Sequence, residues 1–213
     1  MNARFLIRPL LSTAVLALVM ALASRIGDPL TQAYLGVFGA LGVAAAFTKV
    51  ERGSSDAPDG AVDPGVRVLA SFLSLATVIV AALDAGRFHW GPALPSSVRL
   101  GGLILVALFG SLRVWALAVN PFFSTSLWIQ PSHRPVTAGP YCFVRHPGYL
   151  AMLVTAPATA IALGSLAGLL PALAYEILIL RRTMREDHFL RERLGGYAEY
   201  SGTVRDRIAP GFW

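Results

Sequence analysis

Residues 148–180 read GYLAMLVTAPATAIALGSLAGLLPALAYEILIL, and the way this run folds decides the architecture of the chain. It is too long for one simple span, because about 20 apolar residues already cross a hydrocarbon core of about 30 Å as a helix. Gly164, Gly168 and Pro171 interrupt it. The run therefore predicts a tight helical hairpin, or one helix sharply broken near Gly164. A hairpin returns the chain to the side it left. The polar sequence before residue 148 and the charged sequence after residue 180 would then meet.

Four further apolar segments precede it, at roughly 5–24, 30–48, 66–84 and 98–119. The 213 residues are 55% hydrophobic and 14% charged, against about 25% charged in soluble domains. This predicts an all-α integral membrane protein, a bundle of about five transmembrane segments whose last is the hairpin or broken helix, followed by a cytoplasmic C-terminal helix. A single membrane domain over 1–213 is expected, with N-terminal transmembrane helices in 1–95 and a core over 98–213. The opening MNARFLIRPLLSTAVLALVMALAS also fits a secretory signal, but its length and its company favour a retained helix. Gly36, Gly39 and Gly42 let helices approach closely in lipid. KVERGSSDAPDGAVDPG at 49–65 reads as a polar loop; Asp56, Asp59 and Asp63 lack the ligand spacing of a calcium loop.

The net charge is +6. The arginines flank apolar segments, which points to membrane orientation and lipid headgroups as partners, and away from nucleic acid. With the N-terminus cytoplasmic and each segment crossing once, one side holds Arg4, Arg8, Lys49, Arg52, Arg67, Arg134, Arg145 and every arginine after residue 180. The other holds Arg25, Arg87 and Arg99. This asymmetry predicts a multi-pass protein of a bacterial-type inner membrane, with both termini, residues 120–147 and the active site on the cytoplasmic side.

Three groups of residues could carry chemistry. The first is HRPVTAGPYCFVRHPGY, residues 133–149. Pro135 and Pro140 exclude a regular helix, and Pro147 suits the first turn of the next one, so Arg145 and His146 fall at a helix N-terminus. Read singly, Tyr141 and Tyr149 are interfacial aromatics. The second is Arg182 with Glu186, spaced to share a helix face, and Asp187. The spacing fits a surface ion pair or a site placing a cation beside a carboxylate. The third is Arg113, a charge inside a span, which either snorkels or binds an anionic group. The tail from residue 181 predicts a surface helix with Met184, Phe189, Leu190 and Leu194 on one stripe, ended by Gly195 and Gly196. Cys142 is the single cysteine, which excludes an internal disulfide, and the four histidines show no metal spacing. P-loop, GxGxxG, HExxH and GxSxG signatures are absent.

HRPVTAGPYCFVRHPGYLA, followed after the hairpin by RRTMREDHFLRERLGGYAEYSGTVRDRIAP, resembles the isoprenylcysteine carboxyl methyltransferase family and the related phospholipid methyltransferases. The likeness covers about residues 100–210. It implies S-adenosylmethionine as methyl donor, in a cytosol-facing pocket of a methyltransferase-like core. His133, Arg134, Pro135, Val136, Tyr141, His146, Pro147, Gly148 and Tyr149 would line that pocket, joined by Gln130. Glu186 would hold the donor's amino group, and Arg182 would serve catalysis on the substrate side, with Arg113 a second candidate there. The acceptor implied is lipophilic, an isoprenylcysteine-like carboxylate. A phospholipid, a small amine or a thiol is the alternative. Steroid reductases, which use a nicotinamide cofactor, share a similar motif, but Gly148 stands at their asparagine and Ala151 at the following glycine. A non-catalytic membrane scaffold is the third reading.

Overall fold

The computed structural model describes residues 6–48, 64–123, 128–129 and 132–211. The acidic loop 49–63 and Gln130 lie outside the described residues. Among these residues the regular structure is helical: α1 (Ile7–Leu22), α2 (Pro29–Ala46), α3 (Pro64–Leu83, continued by a π-helical turn at Asp84–Phe88), α4 (Ser96–Val119), α5 (Pro147–Leu163), α6 (Leu169–Arg193) and α7 (Tyr197–Thr203). Three are long and apolar enough to cross a membrane, Pro29–Ala46, Gly65–Phe88 and Ser96–Val119. Ile7–Leu22 and Pro147–Leu163 are shorter apolar helices. Leu10, Leu18, Phe72, Leu108 and Leu170 are exposed on outer faces, as suits a bundle whose surroundings are lipid rather than water.

The hairpin is present, and local chemistry explains it. Pro147 sits in the first turn of α5, where its missing N–H costs no hydrogen bond. Gly164 ends α5 in the left-handed region, φ 89°, a conformation that glycine adopts without steric penalty. Ser165 then caps the turn by accepting from Gly168 N at 3.0 Å. Pro171 does not break the run, since it falls in the first turn of α6, among amides that have no intrahelical partner. Apolar and charged halves of α6 form one continuous helix, where the sequence suggested a membrane segment followed by a separate surface helix. Nothing between Leu173 and Arg193 breaks a helix, so the change of polarity leaves no mark on the backbone.

The expected stripe on that second half holds at its end and needs a correction at its start. Leu194 is buried and Phe189 and Leu190 are half-buried, but Met184 is 45% exposed, and Thr183 and Asp187 are buried instead. Those two polar positions turn inward with hydrogen-bond partners, which apolarity alone does not identify.

The bundle is tied at the end distant from residue 146. Asp28 caps α2 by accepting from Thr31 N at 2.8 Å. It also receives Arg25 at 3.2 Å and both terminal nitrogens of Arg99. Arg99 Nε reaches Ala162 O of α5 at 3.3 Å, and Ser165 donates to Asp84 at 2.6 Å. Beside these ties lies an apolar core that includes Met20, Leu35, Ala81, Leu103, Val106, Ala162 and Leu163.

α4 and α5 meet through Gly102, where an added Cβ would lie 2.7 Å from Ala162 N and 2.9 Å from Ala158 O. Both are backbone atoms and cannot swing aside. Gly101, one residue earlier, has nothing within 4 Å of the same atom. Gly102→Ala is expected to lower stability by about 1–3 kcal/mol through overpacking, and Gly101→Ala to change it by less than about 1 kcal/mol. Thermal unfolding in detergent measures both.

Candidate functional site

The chain between α4 and α5 is shaped by its prolines and aromatics. A 3₁₀ turn at Gly139–Cys142 follows an extended stretch. Tyr141 is held there by Asn120 Nδ2 at 3.1 Å, and its carbonyl accepts from Tyr200 OH at 2.7 Å. Burial first, and the Glu186 charge after it, push the Tyr141 hydroxyl up to about 12 despite the Asn120 hydrogen bond. It stays a neutral hydrogen-bonding group at physiological pH.

From the tail side, residues 204–207 run beside Arg145 and His146. Arg145 N donates to Asp206 O at 3.0 Å, and His146 N to Arg207 O at 2.8 Å. Arg145 Nη1 adds Val204 O and Arg205 O, both at 2.7 Å. Its other face grips Asp187 of α6, Nε to Oδ1 at 2.8 Å and Nη2 to Oδ2 at 3.2 Å. Arg145 is only 3% exposed and Asp187 1%. Asp187 also receives Tyr197 OH at 3.0 Å and Arg207 Nε at 3.0 Å. His146 Nε2 and Arg191 Nε each stand 3.3 Å from it. Burial alone would raise the Asp187 carboxyl. Hydrogen bonds from His146, Arg145 and Arg207 outweigh it and hold the group well below the usual carboxylate range. Tyr197 is pushed up in turn, by burial and by the Asp187 charge.

Over this clasp opens a pocket. His133, Arg134, Pro135, Val136, Tyr141, His146, Gly148, Tyr149 and Glu186 all line it. Residues far apart in sequence are thus brought together as the hairpin required. Pro147 is buried behind the wall in the first turn of α5. Arg182 stands one bond back: its Nε donates to Tyr149 OH at 2.8 Å, and Tyr149 donates to Glu186 at 2.6 Å. Arg113 lies on α4 and does not line the pocket.

The pocket has walls that sequence reasoning missed. Asn120, Phe122, Phe123 and Trp128 form one side, and Leu190, Leu194, Tyr197 and Tyr200 contribute another. Arg145 lines it as well, although its donors serve the clasp. Aromatic richness after residue 120 was a weak signal for the first group. The second group had none beyond the periodicity of the tail. Phe122 stacks on His133 with ring centres 4.6 Å apart, and burial pushes the His133 imidazole down, towards its neutral form. Gly148 lets the Phe123 ring approach, since a Cβ there would sit 2.8 Å from it. Among the described residues, Trp128 Nε1 and His133 Nδ1 are buried without a hydrogen-bond partner. Orphaned groups of this kind are rare in folded proteins and call for a ligand or a water.

The clasp makes a direct test possible. Asp187→Asn would leave the buried Arg145 guanidinium without its counter-charge, a change worth about 3–5 kcal/mol. A carboxylate with a lowered pKa stabilises the fold fully above its unfolded value of about 3.9, and the contribution fades as pH falls below that. Thermal unfolding should show a large gap between wild type and Asp187→Asn at pH 7, narrowing below about pH 4.

No curated protein matches the chain. Residues 102–192, from the Gly102 contact through the pocket loop and the hairpin to the Asp187 clasp, match the model of the isoprenylcysteine carboxyl methyltransferase (ICMT) family. The match covers most of the last of the three helices long enough to cross a membrane and most of the residues that build the pocket.

Proposed function

We propose that this protein transfers a methyl group from S-adenosylmethionine to the carboxylate of a lipophilic, isoprenylcysteine-like acceptor. The observation that carries the reading is the meeting of the 133–149 stretch with Glu186 in one pocket rich in aromatic rings. Each part suits the donor. Glu186 supplies an anion for its ammonium group, aromatic faces favour a sulfonium cation, and Trp128 Nε1 and His133 Nδ1 offer unused hydrogen-bonding atoms to a heteroaromatic base. The bound donor supplies an electrophilic methyl group that leaves a cationic sulfur.

The chain's own contribution is mainly positioning, because holding reactants in line at about 3–3.5 Å accounts for much of the barrier reduction in such transfers. Tyr149 fixes the orientation of Glu186 and Arg182 together. The same bonds bear on the acceptor. An amine or a thiol would need a base. Tyr149 already donates its proton to Glu186. His146 Nε2 faces Asp187 and Tyr197. Neither is arranged to take a proton from an acceptor, whereas a carboxylate arrives ionised. The asymmetry of arginines between the loops supports a cytoplasmic pocket, on the side of the soluble donor.

Ligand protection tests the donor. S-Adenosylhomocysteine should raise the unfolding temperature of the detergent-solubilised protein, and NADPH should not; the reverse result would sink the methyltransferase reading. Glu186→Ala should weaken that protection about 10- to 100-fold, the equivalent of one charge-assisted hydrogen bond of about 1.5–3 kcal/mol. Undiminished protection in this variant would remove Glu186 from the donor site.

A further inference from the structure

The chain leaves α4 through Asn120, Pro121, Phe122 and Phe123. Asn120 ends the helix in an extended conformation, φ −106° and ψ 100°, as a residue before proline prefers. Its Oδ1 accepts from Phe122 N at 2.9 Å, and its carbonyl accepts from Phe123 N at 3.3 Å. Asparagine first and proline second is the composition that such a turn favours. The turn is therefore specified locally, and it sets the directions of two rings. Phe122 stacks on His133, with ring centres 4.6 Å apart. Phe123 lies against Gly148 of α5, where a Cβ would come within 2.8 Å of its ring.

The nitrogen of the same amide reaches the other way. Asn120 Nδ2 donates to Tyr141 OH at 3.1 Å. Tyr141 OH also stands 3.5 Å from Ala116 O, the carbonyl that accepts from Asn120 N at 3.1 Å. Gly139, two residues before Tyr141, presses on the same turn of α4 with φ 59°. A Cβ there would lie 3.1 Å from Val119 and 3.2 Å from Trp115. The 3₁₀ turn at Gly139–Cys142 is thus docked on the end of α4, and the Asn120 amide is its polar tie. Oxygen and nitrogen of one side chain are both engaged, and both lead to rings that line the pocket, Phe122 and Phe123 on one arm and Tyr141 on the other.

We propose that Asn120 is a positioning residue for the methyl donor, which acts through Phe122, Phe123 and Tyr141 and holds the aromatic wall of the pocket at the spacing the donor requires. This rests on the methyltransferase reading and adds to it a residue of α4 that sets donor affinity from behind the wall. A wall that is complete but about 1 Å too loose binds poorly, because its supporting contacts decide the fit. A serine hydroxyl can accept from Phe122 N, but it is too short to reach Tyr141. Alanine keeps neither bond. The Asn120 amide and the Tyr141 hydroxyl therefore work as a unit, and removing either removes the same tie.

The test uses the full chain in lipid nanodiscs. Affinity for S-adenosylhomocysteine comes from thermal protection, and N-acetyl-S-farnesylcysteine is the acceptor probe. Asn120→Ser should weaken S-adenosylhomocysteine about 3- to 10-fold, the loss of one neutral hydrogen bond. In a Tyr141→Phe background the same substitution should cost nothing further, because the bond is already gone. Asn120→Ala, which also loses the turn, should bind more weakly than Asn120→Ser. The KM for S-adenosylmethionine should follow these losses, with the KM for the probe within about 2-fold of wild type. Unchanged affinity in Asn120→Ser overturns the inference, and so does a loss that is just as large in the Tyr141→Phe background. Equal rises in both KM values, or a lower ligand-free unfolding temperature with donor affinity kept, would mean a structural role and overturn it too. Should Asn120→Ala fail to fold, the serine variant and its Tyr141→Phe background decide the matter. A wild type that binds no S-adenosylhomocysteine overturns the donor reading itself, so the two failures are distinct.

Discussion

The burial of Asp187 is the constraint on which the site depends. A carboxylate removed from water is costly unless it is paired and hydrogen-bonded, and this one gathers partners from four directions. Arg145 and His146 come from the loop before α5, Tyr197 from α7, Arg207 from the tail and Arg191 from its own helix. Each partner that satisfies the charge also fixes a segment of chain. Asp187 adds Arg207 and Tyr197 to the backbone bonds that lay the tail along residues 145–146, and so steadies the pocket wall that includes Tyr197.

Glu186 and Asp187 show how one helix serves two tasks. Neighbouring residues on an α-helix point about 100° apart. Asp187 turns into the clasp and is saturated by cations, and Glu186 turns to the pocket, where Tyr149 holds it. A pair of adjacent carboxylates in the sequence is thus a structural anion beside a ligand-facing one. The clasp keeps the helix from rotating, and a rotation of one residue would exchange the roles.

Much of this arrangement could be read in the sequence. The hairpin followed from the length of 148–180 with Gly164, the start of α5 from Pro147, and the meeting of two distant stretches from the hairpin itself. What could not be read was pairing across long separations. Arg99 looked like a loop charge and is bonded to Asp28, at the end of a different helix. Asp187 was one member of a charged group beside Arg182 and Glu186 and is the anchor of the tail. Local periodicity records which face of a helix is apolar, but it cannot say which charge will be buried against which. The aromatic wall around Phe122 and Trp128 was hidden for a related reason: irregular chain has no period, so its contribution appears only once the elements on either side are placed.

The distribution of polar and apolar contacts then explains how a bundle in lipid can keep a site at one end. Between helices in a membrane the hydrophobic effect gives little net drive, so close contact and polar bonds must hold them. Here α4 and α5 use small residues one turn in from the distant end, as at Gly102 against Ala158 and Ala162. The distant end uses the Arg99–Asp28 and Ser165–Asp84 bonds. With that end closed, the site is left to the opposite end, where the pocket is lined by Gly148 and Tyr149 of the first turn of α5. A soluble donor and a lipophilic acceptor can then approach the same few ångströms from different phases. An enzyme of the proposed kind needs such a junction, and a compact soluble fold would offer it to the donor alone.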